Sequence, residues 1–380
     1  PRTMIIGVLK EPGYESRVSL LPDAATALLK KGWEVWIEKG AGAAAFSDDS
    51  LYTRSGALVK ERKEITAGAD IILSIHLDVS LIDEMRPPKK LIGVYYPLIN
   101  PDLVKLAAEK GLTLFSMDML PRISRAQPMD VLSSQANIAG YKAVLLAANR
   151  FPRYFPMLMT AAGSISPAKV LVIGAGVAGL QAVATARRLG AVVEVFDTRQ
   201  AVKEEVNSLG AKFVEVEGAA DASGAGGYAV EQSEDFLRGQ KAKIAERISR
   251  SDILITTAQI PGKRAPLLVT DEMVASMKPG SVIIDLAAAT GGNTTRTVNN
   301  QEVFWNGVHI IGNSNLAASM PVDASRLYGK NVIGFISLLF KENETQLNFS
   351  DELVKGTCIA HEGKITNERV IQLLQEKSLI

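Results

Sequence analysis

Residues Val170 to Asp197 constrain the fold more than any other stretch of the chain. They read VLVIGAGVAGLQAVATARRLGAVVEVFD: a β-branched apolar run, the turn Gly174-Ala175-Gly176-Val177-Ala178-Gly179, an amphipathic helical stretch, and a second apolar run closing on an acid. Each residue type has a physical reason for its place in a dinucleotide-binding βαβ unit. Gly174 permits the tight turn off the strand, Gly176 lets the backbone approach a pyrophosphate, and Gly179 lets helix and strand pack closely. The free N–H groups and positive dipole end of the helix, where Val177 and Ala178 lie, favour phosphate. Asp197 follows Gly179 by about 18 residues, close to the ~20-residue spacing at which a carboxylate accepts hydrogen bonds from the adenosine ribose. Its charge repels a 2′-phosphate, which favours NAD(H) over NADP(H). Arg199, two residues on, either receives such a phosphate or is a solvated charge opening the next helix.

A chain of 380 residues is longer than one growing hydrophobic core serves, so two domains are expected. With 47% hydrophobic and 22% charged residues and a formal net charge of +1, the composition is that of a soluble globular protein and points to no nucleic acid or anionic membrane. The single Cys358 cannot form an internal disulfide, in keeping with a reducing cytosol. A nucleophilic pair with nearby His361 can be imagined; the plainer reading is a thiol and an imidazole in a C-terminal turn. The 3 histidines, His76, His309 and His361, are scattered without ligand spacing, so no metal site is expected. The longest apolar run, around Val332 to Phe340, is about half the ~18 residues a spanning helix needs, so no direct membrane insertion is expected. The N-terminus enters a strand pattern, MIIGVLKE, with no secretory or transit segment visible, and a cytoplasmic location is expected.

The first third alternates apolar runs (MIIGVLKE, WEVWIEKG, ADIILSIH, LIGVYY, LTLFSMDML) with helical patterns at Asp23 to Lys31, Asp48 to Gly56 and Asn100 to Lys110. That rhythm predicts a parallel sheet covered on both faces, here without a phosphate fingerprint. A helical stretch from Asp130 to Arg150 follows, then the Pro-punctuated FPRYFPMLMTAAGSISPAK, read as the domain connector. The second sheet continues through AKFVEVEG, DILITTAQ, SVIIDLAA and VHIIGNS, for six expected strands. After Asn315 a helical stretch and a short tail return to the first domain, making a two-helix hinge beside an active-site cleft. The expected fold is therefore α/β: two Rossmann-like parallel-sheet domains joined by helices, with a cleft between them. Residues 1–133 plus 325–380 form the first and residues 134–324 the NAD(H)-binding domain. The run Gly218 to Gly227, GAADASGAGG, followed by Tyr228, buries too little to offset its ordering entropy; it is either a lid that brings Tyr228 over a nucleotide or an idle insertion.

Between the first domain and the connector lies PRISRAQPMDVLSSQANIAGYKA, dense in polar groups: Arg122, Arg125, Gln127, Asp130, Ser133, Ser134, Gln135 and Asn137. Pro121 and Pro128 bracket a rigid loop and Asp130 can cap the helix that begins there. Such a cluster reads either as a recognition surface or as a structural Arg122–Asp130 salt bridge with serines and amides satisfying helix-end groups.

Together MPRISRAQ-MD-LSSQ-N-AGY, GAGVAGLQA-ATA-RLGA, GGYA, ITTA-IPG--AP and MKPGSVIIDLA---GGN closely resemble the NAD(H)-binding component of proton-translocating nicotinamide nucleotide transhydrogenases, over most of the chain. The resemblance implies a dimer of two-domain chains on the cytosolic or matrix face. It also implies direct hydride transfer from NADH to NADP+ held by a separate component, and a membrane component that couples transfer to proton movement. Residue by residue it implies Arg122, Gln127 and Asp130 around the nicotinamide and its ribose, Ser133 on the carboxamide, and Gln127 bridging toward the NADP(H)-binding partner. Gly174, Gly176, Val177, Ala178 and Gly179 would surround the pyrophosphate, and Asp197 and Thr198 the adenosine ribose. Arg199, Gly227, Thr257 and Ala258 complete the cofactor set, with Tyr228 at the tip of a mobile loop. Because the family shares Asp-x-Arg and uses NAD(H), Arg199 does not argue for NADP(H). Hydride passing between two nicotinamides leaves no hydroxyl proton to remove, so the absence of an evident catalytic histidine or lysine fits.

Alanine dehydrogenase is the rival, since GVLKEPGYESRVSLLP resembles both families and places Arg17 at the substrate-carboxylate position. That enzyme also requires a lysine where this chain has Ser74 and a histidine where it has Pro97. His76 shares a strand face with Ser74 without replacing the lysine's charge, and Arg17 then reads as a structural remnant or a domain-closing ion pair. A non-catalytic NAD(H)-binding regulator is the third reading; it would keep the fingerprint and Asp197 but would not need Arg122, Gln127 and Asp130 to converge.

Overall fold

Apolar residues in the strands are buried at consecutive positions, which a sheet can satisfy only when both of its faces are covered. The computed structural model describes residues 3–217, 233–340 and 346–378 and divides the chain into two units, Pro1–Gln135 with Ala317–Ile380, and Ala136–Leu316.

The first unit begins with β1 (Ile5–Val8), α1 (Pro22–Leu29), β2 (Glu34–Glu38), α2 (Asp49–Ser55), β3 (Leu58–Lys60) and α3 (Arg62–Gly68). It continues with β4 (Ile71–Leu73), α4 (Val79–Glu84), β5 (Lys90–Gly93), α5 (Pro101–Glu109) and β6 (Thr113–Ser116). Helix α6 (Val131–Arg150) then crosses from the first unit into the second.

The second unit contains the hairpin β7 (Leu158–Thr160) and β8 (Gly163–Ile165), then β9 (Lys169–Ile173), α7 (Val177–Arg188) and β10 (Val192–Phe196). Next come α8 (Lys203–Ser208), β11 (Lys212–Phe213), α9 (Glu234–Ser249), β12 (Ile253–Thr256) and α10 (Asp271–Ala275). Strands β13 (Val282–Asp285), β14 (Glu302–Trp305) and β15 (Val308–Ile311) close it. The chain returns to the first unit through α11 (Pro321–Ile336), α12 (Glu352–Thr357), β16 (Cys358–His361), β17 (Lys364–Ile365) and α13 (Glu368–Ser378).

Both sheets carry the doubly wound order. The first runs β17-β16-β6-β5-β4-β1-β2-β3 and the second β11-β10-β9-β12-β13-β15-β14, so each has its first parallel strand between its second and fourth and hence a switch point there. Strand alternation sorts the side chains. In the second unit Val170 and Val172 join Ile253, Ile255, Val282 and Ile284 in one core, while Leu171, Ile173, Leu254 and Ile283 belong to the core on the other face. In the first unit Ile6, Val8, Ile71 and Leu73 pack with Tyr328, Val332, Phe335 and Ile336 of α11, and Ile72 packs against the opposite face.

Three expectations are corrected. The second sheet has a seventh strand, since β14 pairs antiparallel with β15. The first sheet also has antiparallel members, because what reads as a C-terminal turn is β16, paired antiparallel with β6 and β17. The Pro-punctuated segment belongs to the second unit and folds as the β7–β8 hairpin, so α6 is the passage between the units.

Candidate functional site: a dinucleotide turn

The three fingerprint glycines answer to three different constraints. Gly174 sits at φ +104°, and a Cβ there would lie 2.1 Å from Thr257 Oγ1. Thr257 is tied to that turn, its hydroxyl donating to the carbonyls of Ile173 at 3.1 Å and Gly174 at 3.3 Å. At Gly179 a Cβ would come within 1.8 Å of the Gly174 carbonyl oxygen, so helix and turn touch through backbone. Gly176 has nothing within 4 Å of where its Cβ would be. It caps α7 without a side-chain hydrogen bond, and Gly176 and Val177 are exposed. The helix thus presents unsatisfied N–H groups and its positive end to open space, an arrangement that fits a pyrophosphate.

Asp197, at the end of β10, is 8% exposed. Its Oδ2 accepts from the Ala175 N–H at 2.7 Å and its Oδ1 from the Arg199 N–H at 2.8 Å. The Arg199 guanidinium closes on both oxygens, Nε to Oδ1 at 3.0 Å and Nη2 to Oδ2 at 3.0 Å. That hydrogen bonding raises the Arg199 pKa further, against the opposing effect of burial. Arg199 stands at the start of the next helical turn, as the plainer reading has it, but its charge is pinned on the carboxylate rather than left to solvent. Thr198 is half-buried in the same loop. Ala258 follows Thr257, and its carbonyl accepts from Asn293 Nδ2 at 2.8 Å. Gly227 and Tyr228, and with them the proposed lid tip, lie outside the described residues.

The sequence reading missed the support beneath this turn. Asp285, fully buried at the end of β13, accepts from the N–H groups of Ala287 at 3.0 Å and Asn293 at 2.6 Å and from Thr297 Oγ1 at 2.6 Å. Asn293 in turn holds the carbonyls of Ala258 and Pro266, fixing the chain after β12. A buried acid at a strand end followed by Gly-Gly-Asn was the available signal.

The polar loop of the first unit is a 3₁₀ turn, Ser124–Met129, leading into α6. Arg122 and Gln127 are exposed on it. Asp130 caps α6 as expected, its Oδ1 accepting from the Ser133 N–H at 3.0 Å and its Oδ2 from Ser133 Oγ at 2.6 Å. Among the described residues no ion pair joins Arg122 to Asp130. Arg125 instead forms a bidentate pair with Asp351, Nη1–Oδ2 2.9 Å and Nη2–Oδ1 2.8 Å. Asn331 of α11, also missed, clamps this loop: its Nδ2 donates to the Pro128 carbonyl at 2.7 Å and its Oδ1 accepts from Ser134 Oγ at 2.7 Å.

Arg17 lies in the same unit and is held by three side-chain hydrogen bonds. Its Nε and Nη2 each bond Glu15 at 2.8 Å, and its Nη1 donates to Gln135 Oε1 at 2.9 Å. Glu15 also takes His76 Nε2 at 2.7 Å. Burial alone would raise the Glu15 pKa, but the hydrogen bonds from Arg17 and His76 outweigh it and hold the carboxyl at about 2. Ser74 is buried, its hydroxyl donating to the His76 carbonyl at 2.9 Å. At the switch point of this sheet, outside β1 and β4, a cavity of about 250 Å³ is lined by Lys10, Glu11, Glu38, His76 and Asp78 among others. Burial pushes Glu11 up to about 8, against the hydrogen bond from the Ile75 N–H. Cys358 and His361 form no nucleophilic pair: the buried thiol is pushed up to about 11 and donates to the Ala360 carbonyl, while His361 Nδ1 meets Thr113 Oγ1 at 2.9 Å.

A doubly wound sheet whose first turn is an open glycine cradle with an acid closing the next strand defines a dinucleotide-binding protein of the Rossmann type. Two family profiles cover most of the chain, alanine dehydrogenase/PNT N-terminal domain over residues 7–139 and C-terminal domain over residues 143–368. The chain is 43% identical over 369 residues to the first of the polypeptides that make up NAD(P) transhydrogenase subunit alpha in Rickettsia prowazekii (strain Madrid E), covering 96% of each chain. Among solved structures, transhydrogenase from Sinorhizobium meliloti superimposes with a TM-score of 0.87 at 43% identity, covering 95% of this chain and 99% of that one. An alanine dehydrogenase of Methanococcus maripaludis is more distant, 29% identical over 296 residues, 76% of this chain and 74% of its own. The chain belongs to the alanine dehydrogenase/PNT family and, within it, to the transhydrogenase alpha-subunit group.

Proposed function

We propose that this chain is the NAD(H)-binding component of a proton-translocating transhydrogenase, passing hydride from NADH to NADP+ held on a partner component while a membrane component couples the transfer to proton movement. The observation that carries this reading over alanine dehydrogenase is the state of Arg17. Its guanidinium is held by Glu15 and Gln135, and the position where alanine dehydrogenase needs a lysine carries Ser74, buried and bonded to the His76 carbonyl.

Bound NAD(H) supplies the hydride; this chain supplies binding, orientation and exclusion of water. In this reading the α7 N-terminus with Gly174, Gly176, Val177, Ala178 and Gly179 receives the pyrophosphate, and Asp197 with Thr198 the adenosine ribose. Thr257 and Ala258 shape the floor of the turn. Arg122, Gln127, Asp130 and Ser133 serve the nicotinamide end, with exposed Gln127 facing the NADP(H)-binding partner. No residue needs to remove a proton. Among the described residues no helix is long and apolar enough to cross a membrane; in this reading partner components attach the chain to the cytosolic face of one. A homodimer is supported by the β7–β8 hairpin, which joins neither large sheet and leaves Met157 60% and Met159 79% exposed.

The test is hydride transfer from NADH to an oxidised NAD analogue in the presence of NADP(H), with and without an NADP-binding component, beside an assay of L-alanine with NAD+. Transfer should require the added component, and Gln127→Asn should lower its rate about tenfold or more while leaving NADH affinity within about twofold. Alanine oxidation by the chain alone overturns the reading.

A further inference from the structure

An ionised carboxylate offers about four in-plane acceptor positions, and all four of Asp197 are taken. The Ala175 N–H holds one, the Arg199 N–H a second, and Arg199 Nε and Nη2 the remaining two. The first two bonds are backbone and belong to the fold of the turn. The last two come from a side chain that is 29% exposed, while the carboxylate beneath is 6% exposed. The guanidinium therefore covers the edge of Asp197 that a ribose diol has to reach.

We propose that Arg199 is a cofactor-selection residue that competes with the adenosine ribose for Asp197, so that one ion pair both weakens NAD(H) binding and keeps the arginine from accepting a 2′-phosphate. The inference rests on the NAD(H) reading of this turn. A diol that takes the two outer acceptor positions must displace the guanidinium, and the lost bidentate pair is subtracted from the affinity gained. A 2′-phosphate would bring negative charge against a buried carboxylate, and it would find the guanidinium already neutralised by its bidentate bond to that carboxylate. Selection thus belongs to the pair: Asp197 supplies the repulsion and restrains the group that could otherwise reverse it.

The two roles separate by mutation. Arg199→Ala removes the competitor and should tighten NADH binding about two- to fivefold, the range of a partly exposed ion pair. Arg199→Gln, which keeps the bulk and loses the charge, should behave alike. Asp197→Asn frees Arg199, and NADPH affinity should rise about tenfold or more; the gain should disappear in Asp197→Asn with Arg199→Ala, the signature of coupling between the two sites. The measurement is calorimetric titration of the purified chain with NADH and with NADPH, with circular dichroism to establish that each variant is folded. Unchanged or weaker NADH binding in both folded Arg199 variants overturns the proposal, as does an NADPH gain that survives in the double variant. Failure of the unsubstituted chain to bind NADH in the same titration sinks the cofactor reading itself and is recognisable as such.

Discussion

Gly176 and Gly179 are the same residue type three positions apart, yet the structure gives them opposite sensitivities. A methyl group at Gly179 meets the Gly174 carbonyl oxygen at 1.8 Å, whereas at Gly176 it meets nothing within 4 Å. Gly179→Ala should therefore cost stability, about 1–3 kcal/mol or more of overpacking, and lower the melting temperature of the second unit. Gly176→Ala should melt within about 2 °C of the parent but bind NADH at least about tenfold more weakly, because the methyl stands where a pyrophosphate would approach the backbone. Equal melting losses in the two variants would contradict this division. The glycine types and the acid of the site were legible in the sequence because spacing along one βαβ unit is a local property. The engagement of Arg199 was not, since a sequence places a guanidinium near a carboxylate without saying whether it turns toward it or toward solvent. Asn331 was not legible for a different reason: its partners at Pro128 and Ser134 lie about 200 residues away, beyond any periodicity.

At the scale of elements, period and punctuation recovered β9, α7, β10 and α6 almost to the residue, because each is long or belongs to the glycine-marked βαβ unit. The missed strands are short; β3 pairs parallel with β2 and the others are antiparallel, and two of the hairpins carried a readable signal. Strands β14 and β15 are joined by Asn306-Gly307 at φ 51° and 77°, and β16 and β17 by Glu362-Gly363 at φ 47° and 80°; two-residue loops with both φ positive are the turns that match strand twist. The β7–β8 hairpin has no such mark, and among the described residues it pairs with no other strand. Two strands alone are marginal in water, and Met157 and Met159 offer adaptable apolar contact. If the hairpin is a dimer contact, Met159→Asp with Met157→Asp should shift the chain toward monomer by at least about tenfold in dissociation constant, since carboxylates would be desolvated at the interface. Sedimentation at several concentrations reads this directly; an unaltered mass distribution would place the contact elsewhere.

For the whole molecule, the buried charges of the first unit set a pH response. The Glu11 pKa is raised to about 8, so between pH 4.5 and 8 the folded state holds a proton that the unfolded chain has released. Its contribution is complete below pH 4.5 and is lost as pH rises to 8, at a slope of up to ~1.4 kcal/mol per pH unit. Glu15, held down at about 2, has the opposite sign: its contribution is present above pH 4.5 and fades as pH falls toward 2. Glu11→Gln keeps an acceptor for the Ile75 N–H without a titrating proton, and should flatten the fall in melting temperature of the first unit between pH 5 and 8. Parallel pH profiles for the two proteins would show that Glu11 does not titrate in that window. Sequence by itself determined two parallel α/β sheets, the βαβ with its glycine turn, and the family, because these follow from local periodicity and from motifs carried along one strand–turn–helix. Tertiary structure alone decided which charges neutralise one another, at Arg17 with Glu15 and at Arg199 with Asp197. It also decided that the C-terminal segment adds strands to the first sheet. Those outcomes depend on the direction of side chains and on pairings across hundreds of residues, where burial and geometry choose among partners that the sequence leaves equivalent.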